Sequence, residues 1–219
     1  MTALSPDPTF YPTPAEAMRA PPEKVAYVAA LHVGTGIDKP DFIAVVDVDP
    51  RSDDYGRIIH RVELEETGDE LHHFGWNACS SMLCPYGDPT VERRYLIVPG
   101  LRSSNFYVLD TKPDPRRPRI VKKIPGAKIT RVTGYSRLHT VHCGPDAIYI
   151  SALGGQGDEG PGGVLLLDHR TFEPLEGSRS IGGHNISHTT SGGIWRRTRW
   201  SPASGPCRNI TRTVSIWRP

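Results

Sequence analysis

The run Phe42-Ile43-Ala44-Val45-Val46-Asp47 returns as Asn105-Phe106-Tyr107-Val108-Leu109-Asp110 and again as Val164-Leu165-Leu166-Leu167-Asp168. Its closing acids stand 63 and 58 residues apart (47 to 110 to 168). Each run follows another short apolar one, at Val25–Val28, Tyr95–Val98 and Ala147–Ser151, and each leads into a turn marked by Pro50, Pro113 and Pro115, or Pro174. A third run follows the first two turns, at Arg57–Val62 and Arg119–Ile124. Short apolar runs bounded by Gly and Pro read as β-strands joined by tight turns. An antiparallel unit recurring at long spacing is the mark of a repeat architecture. A plain sandwich offers similar strands, but here strand order and turn chemistry repeat together. The expectation is therefore an all-β chain: an incomplete β-propeller of about three blades of a longer one, with antiparallel sheets over 25–177.

Residues 1–24 read as an irregular arm holding one helical turn, with Thr13 as cap and Pro14 at the first helical position. No long amphipathic helix is expected. The glycine-rich stretch Gly154–Gly163 precedes a strand and lacks a following Lys-Ser/Thr, so it reads as a turn between strands rather than a phosphate loop.

Composition narrows the function. No apolar run spans a bilayer, and the Pro-rich stretch from Met1 to Lys24 has no signal-peptide core, so a cytoplasmic protein without a membrane partner is expected. The formal charge of +2 hides an asymmetry. Seven Arg and no acid lie between Ser178 and Pro219, which leaves 19 basic residues (26 less 7) against 24 acidic ones before them, a balance of −5. That balance excludes the basic footprint of a nucleic-acid binder. Cys79, Cys84, Cys143 and Cys207 are irregularly spaced and form neither a disulfide framework nor a tight redox pair.

The chemistry concentrates between Asp69 and Cys84, where two adjacent imidazoles, two thiols and two acids fall within sixteen residues. His72 and His73 face opposite sides of any regular strand, so they share one ion only if the backbone turns, for which Gly75 is the flanking candidate. His139 and His142 are three apart, a spacing that suits a helical turn or a loop rather than one strand face. Both pairs precede a first strand of the repeat (Tyr95 or Ile148), and if those strands are innermost, both reach the central channel. Imidazole with nearby thiolate suits copper or zinc, and spacing does not separate the two. Asp69 and Glu70 are either orienters of imidazole N–H groups or solvated loop acids. Trp76 reads as packing.

The motif Asp-Glu-Leu-His-His-x-Gly-Trp-Asn-x-Cys-Ser-Ser at 69–81 resembles the selenium-binding protein family, whose members include methanethiol oxidases. The resemblance continues through Val46–Pro50, Ile59–Arg61, Leu138-His139-Thr140-Val141-His142-Cys143, Gly162–Asp168 and Thr171–Glu173, to about Gly177. It implies a propeller that binds copper and converts methanethiol, O2 and water to formaldehyde, hydrogen sulfide and hydrogen peroxide. It also implies selenium binding by cysteine, with Cys79 and Cys84 as the candidates here. The residues themselves suggest a channel metal held by His72 or His73 and by His139 or His142, which makes His72, His73, His139 and His142 the candidate catalytic and metal-ligating set. A non-catalytic selenium or metal carrier on the same scaffold is the alternative. Some members carry cysteines where this chain has Gly56 and the residues from Leu4 to Tyr11.

From Ser178 the composition turns Arg-, Ser- and Thr-rich and the strand pattern stops. A shifted reading frame over this stretch, given suitable codons, spells a sequence that resembles what the family carries next. Residues 178–219 are thus expected to be an aberrant or frameshifted tail, and the chain an inactive, poorly stable fragment. Codons incompatible with that frame would end the idea.

Overall fold

The computed structural model describes residues 11, 13–78, 90–144 and 146–175, with the backbone of 179–180. Cys79, Cys84, Cys207 and most of the expected tail lie outside the described residues. In the arm, the helical turn α1 (Pro14–Ala17) begins as expected, with Thr13 Oγ1 accepting from the Glu16 N–H at 3.2 Å.

Three antiparallel sheets follow. The first orders β1 (Val25–Ala30), β2 (Pro40–Asp47) and β3 (Ile58–Thr67). The second orders β4 (Gly75–Trp76), β5 (Tyr95–Pro99), β6 (Phe106–Asp110) and β7 (Arg119–Ile124). The third runs, in reverse order, β11 (Arg179–Ser180), β10 (Gly163–Leu167), β9 (Ile148–Gly154) and β8 (Ser136–Cys143). The all-β, antiparallel expectation therefore describes the chain, and all eight strands read from the sequence form. The short 310 turn Gln156–Asp158 links β9 to β10, so the glycine-rich stretch does connect two strands.

β6 shows why its sequence lacks alternation: all five of its residues are buried. Phe106 and Val108 pack with Leu138, Val141, Ile150 and Leu165 of the third sheet. Tyr107 and Leu109 pack with Ile43 and Leu64 of the first. Alternate side chains serve opposite neighbours, so both faces are apolar. The repeated closing acids have one local task. Oδ1 of Asp47, Asp110 and Asp168 accepts the N–H two residues on (Asp49, Lys112 and Arg170) at 2.9, 3.1 and 2.9 Å. Each acid folds the turn that ends its strand.

The structure departs from the sequence reading at four places. β4 and β8 are additional strands, each entering its sheet ahead of the strand expected to be first. β8 escaped notice because of a bulge: Leu138 pairs with Ala152 and Val141 with Ile150, so three steps on one strand match two on the other. Leu138 and Val141 therefore both face the core, and a spacing of three occurs on a strand after all. The helix α2 (Gly126–Thr133) joins β7 to β8, buries Ile129 fully, and stops at Gly134, whose φ of 75° closes the helix. Finally, β11 pairs with β10 beyond Gly177, within the stretch expected to lack strands.

Candidate functional site

Two chain segments enter the second and third sheets by the same device. Glu70 and Arg137 adopt the left-handed conformation, with φ of 58° and 55°. Each is followed by a leucine with no exposed surface, Leu71 or Leu138, and each leucine by a histidine, His72 or His139. A bulky residue at positive φ is strained, so the surroundings must hold it. A side chain of the preceding sheet accepts at each: the Leu71 N–H, just after Glu70, donates to Asp41 Oδ2 at 2.9 Å, and the N–H of Arg137 itself to Ser104 Oγ at 2.7 Å. Asp41 and Ser104 stand at the start of β2 and just before β6, so the preceding sheet fixes where the next one receives its histidine.

The first segment is braced further. Asp69, 1% exposed, accepts from the Ser103 N–H and Oγ–H, both at 2.7 Å. Glu70 pairs with Arg102 at 2.9 Å. Neither carboxylate orients an imidazole: both hold the turn that presents His72 and His73. Gly75 does not make that turn. It lies in β4, where a Cβ would stand 3.0 Å from Val141 O and 3.2 Å from Val141 Cβ. Its missing side chain lets β4 approach β8.

That approach brings His72, His73 and His139 together across 67 residues of sequence. His72 Nδ1 and His139 Nε2 are 3.2 Å apart. The ring centroids of His73 and His139 are 4.6 Å apart, those of His72 and His139 5.1 Å, and those of His72 and His73 6.5 Å. His142, grouped with these by the sequence, instead places Nδ1 2.7 Å from its neighbour's carbonyl at Cys143. The position equivalent to His142 in the second sheet is Gly75. Trp76 packs, as expected, meeting Tyr27 edge-on at 6.1 Å with the Arg93 guanidinium 4.4 Å from its ring centroid.

Burial, and then the neighbouring imidazoles, lower the His139 pKa from 6.5 to about 4, and burial lowers that of His73. Both are therefore neutral at pH 7, the state in which imidazole binds a metal. Among the described residues no set of three or more His, Cys, Asp or Glu is already arranged to hold an ion. Two nitrogens on one tetrahedral zinc at 2.0–2.1 Å lie about 3.3 Å apart, close to the His72–His139 separation. His73 is exposed and in ring contact with His139, which puts a third imidazole beside the pair. The residues fit an imidazole-bound copper or zinc. The cleft of about 760 Å3 lined by Arg102, Ser104, Arg131 and Asp158 includes none of the three histidines.

The lowered pKa has a consequence for stability. The unfolded chain protonates His139 near pH 6.5 while the folded chain resists until about 4. Its contribution is full above pH 6.5 and declines as pH falls toward 4. Urea midpoints should drop between pH 7 and pH 5, and His139→Gln should flatten that slope; an equal slope in the variant refutes the assignment.

The sequence did not single out Thr140, Ser103 or Arg102, since none carries a metal-ligating group and each acts through a contact made only on folding.

The sequence model of the 56 kDa selenium-binding protein family (SBP56) matches residues 4–189. The chain is 48% identical over 160 residues to selenium-binding protein 1 of Arabidopsis thaliana, covering 72% of this chain and 32% of that protein. It is 41% identical over 196 residues to methanethiol oxidase of Xenopus tropicalis, covering 87% of this chain and 41% of that one. The X-ray structure of a hypothetical selenium-binding protein from Sulfolobus tokodaii superposes with a TM-score of 0.73 at 67% identity, over 77% of this chain and 37% of the other. The chain thus spans roughly a third to two-fifths of the length of these relatives. On the match across most of its residues, the chain belongs to the SBP56 family.

Proposed function

We propose that the histidine trio belongs to a copper-dependent thiol oxidase of the methanethiol oxidase type, and that the three sheets are successive blades of a β-propeller. The observation that carries the reading is the meeting of His72, His73 and His139 from two separate sheet entries. Propeller blades bring such entries to a common channel. In the reaction, one methanethiol, one dioxygen and one water give one formaldehyde, one hydrogen sulfide and one hydrogen peroxide. The thiol carbon loses two electrons, dioxygen gains them, and the C–S bond gives way to C=O.

Bound copper supplies a Lewis acid that favours the thiolate over the thiol, and a one-electron couple. The chain's own residues do the rest. His72 Nδ1 and His139 Nε2 stand 3.2 Å apart, close to the spacing of two nitrogens on a shared ion. Leu71 and Leu138, fully buried, anchor the chain on the residue before each of these histidines. The Asp69–Ser103 and Glu70–Arg102 contacts hold the histidine-bearing turn in place.

A non-catalytic selenium carrier is the second reading, favoured by the names of the Arabidopsis relatives; Cys79 and Cys84 would then bind the selenium. The two separate in one assay. Full-length protein given methanethiol, with and without added copper, should form hydrogen peroxide only with copper. His72→Ala with His73→Ala should abolish it, and unchanged turnover in that variant removes the metal assignment.

A further inference from the structure

His139 is held from its far side. While Nε2 faces His72, Nδ1 lies 2.9 Å from Oγ1 of Thr140. The repeat aligns Thr140 with His73, since each directly follows the histidine that follows the buried leucine. Where the second sheet's entry presents another imidazole, the third presents a hydroxyl, and that hydroxyl is turned onto the neighbouring ring. Consecutive side chains on a regular strand point to opposite faces and cannot meet. Here they lie within the bulge between Leu138 and Val141, which re-aims one of them. Thr140 is itself fixed, its N–H donating at 2.9 Å to Oγ of Ser151, a residue 4% exposed.

We propose that Thr140 is a positioning residue for His139: Oγ1 accepts the Nδ1 proton and so leaves the Nε2 lone pair directed at His72. A neutral imidazole carries one proton, and the partner of one nitrogen decides which nitrogen keeps it. His72 Nδ1–H then donates to His139 Nε2, and His139 Nδ1–H to Thr140, a chain with one direction. Metal binding at His72 Nδ1 requires that ring to carry its proton on Nε2 instead. The purpose of this arrangement rests on the metal reading above, but the arrangement itself does not.

The test uses the full chain with 15N-labelled histidine. Without metal, His139 is expected to be protonated at Nδ1. Thr140→Val keeps the shape and the strand propensity but removes the acceptor, and should shift the ring toward the Nε2–H form; Thr140→Ser should restore the original. Zinc affinity, measured with Zn2+ alone, should fall by about tenfold or more in Thr140→Val and return in Thr140→Ser, the usual scale for losing a ligand's outer partner. An unchanged His139 tautomer in Thr140→Val, or unchanged zinc affinity, overturns the proposal. A wild-type chain that shows the Thr140-dependent tautomer yet takes up neither zinc nor copper supports the positioning role and overturns the metal reading it serves.

Discussion

Gly100→Ala is expected to destabilise the chain by about 3 kcal/mol and to disorder the histidine-bearing turn with it. The added Cβ would lie 1.8 Å from Asp69 Oδ2 and 2.4 Å from Asp69 Cγ. Neither side can yield cheaply. Asp69 is buried and holds Ser103 through both oxygens, while its backbone carbonyl accepts the Arg102 N–H at 3.0 Å. The Gly100 N–H is in turn committed to Asn105 O at 2.9 Å. Relief requires Asp69 to leave its site, which breaks charge-assisted hydrogen bonds and releases the strained Glu70 behind it. Urea unfolding should show the lost stability, and metal titration a weaker site; a midpoint within error of wild type would show that the Asp69 anchor is not what holds the turn.

Asn77→Ala should cost as much or more without touching a histidine of the trio. The Asn77 side chain is 1% exposed and extends β4 by imitating strand pairing. Oδ1 accepts from the Arg94 and Tyr95 N–H groups at 3.2 and 3.0 Å, and Nδ2 donates to Glu92 O at 3.0 Å and His169 O at 3.3 Å. The His169 ring returns to Asn77 O at 2.5 Å, tying the second sheet to the third. Truncation leaves four backbone groups without partners, for which about 3–5 kcal/mol is a fair expectation. Asn77→Asp should recover only part, since a carboxylate accepts but cannot donate. Comparison of the two variants in urea checks this: equal stability of wild type and Asn77→Ala contradicts the assigned bonds.

These two sites show what the sequence made legible and what it withheld. The strand-closing acids Asp47, Asp110 and Asp168 were visible because their work is local, each capturing an N–H two residues away. The apolar runs at β2, β6 and β10 were visible because both faces pack, which leaves no polar residue to blur them. β8 was hidden for the opposite reason. Its bulge resets the alternation in mid-strand, so Leu138 and Val141 share a face at a spacing that reads as a turn. β4 was hidden by brevity. Its two residues, Gly75 and Trp76, carry no period at all.

The site follows the same division. His72, His73 and His139 stood out by residue type, yet nothing in their spacing distinguished His139 from His142. In the structure it is the His139 ring that lies against His72 and His73. Asp69 and Glu70 were visible as acids beside histidines, and their partners Ser103 and Arg102 lie more than thirty residues on. Only folding shows that these acids brace the backbone rather than the rings. Gly75 drew attention as a turn former, whereas the turn rests on Glu70 at positive φ, a conformation sequence does not announce for glutamate.

Three imidazoles from two sheet entries sharing one ion is the arrangement on which the proposed chemistry depends. X-ray absorption on the chain loaded with one equivalent of copper measures it directly, through the scattering of imidazole rings. It should report three rings in the wild-type chain and two in His139→Ala. An imidazole count unchanged when His72, His73 and His139 are all replaced by alanine would place the copper elsewhere and contradict the site.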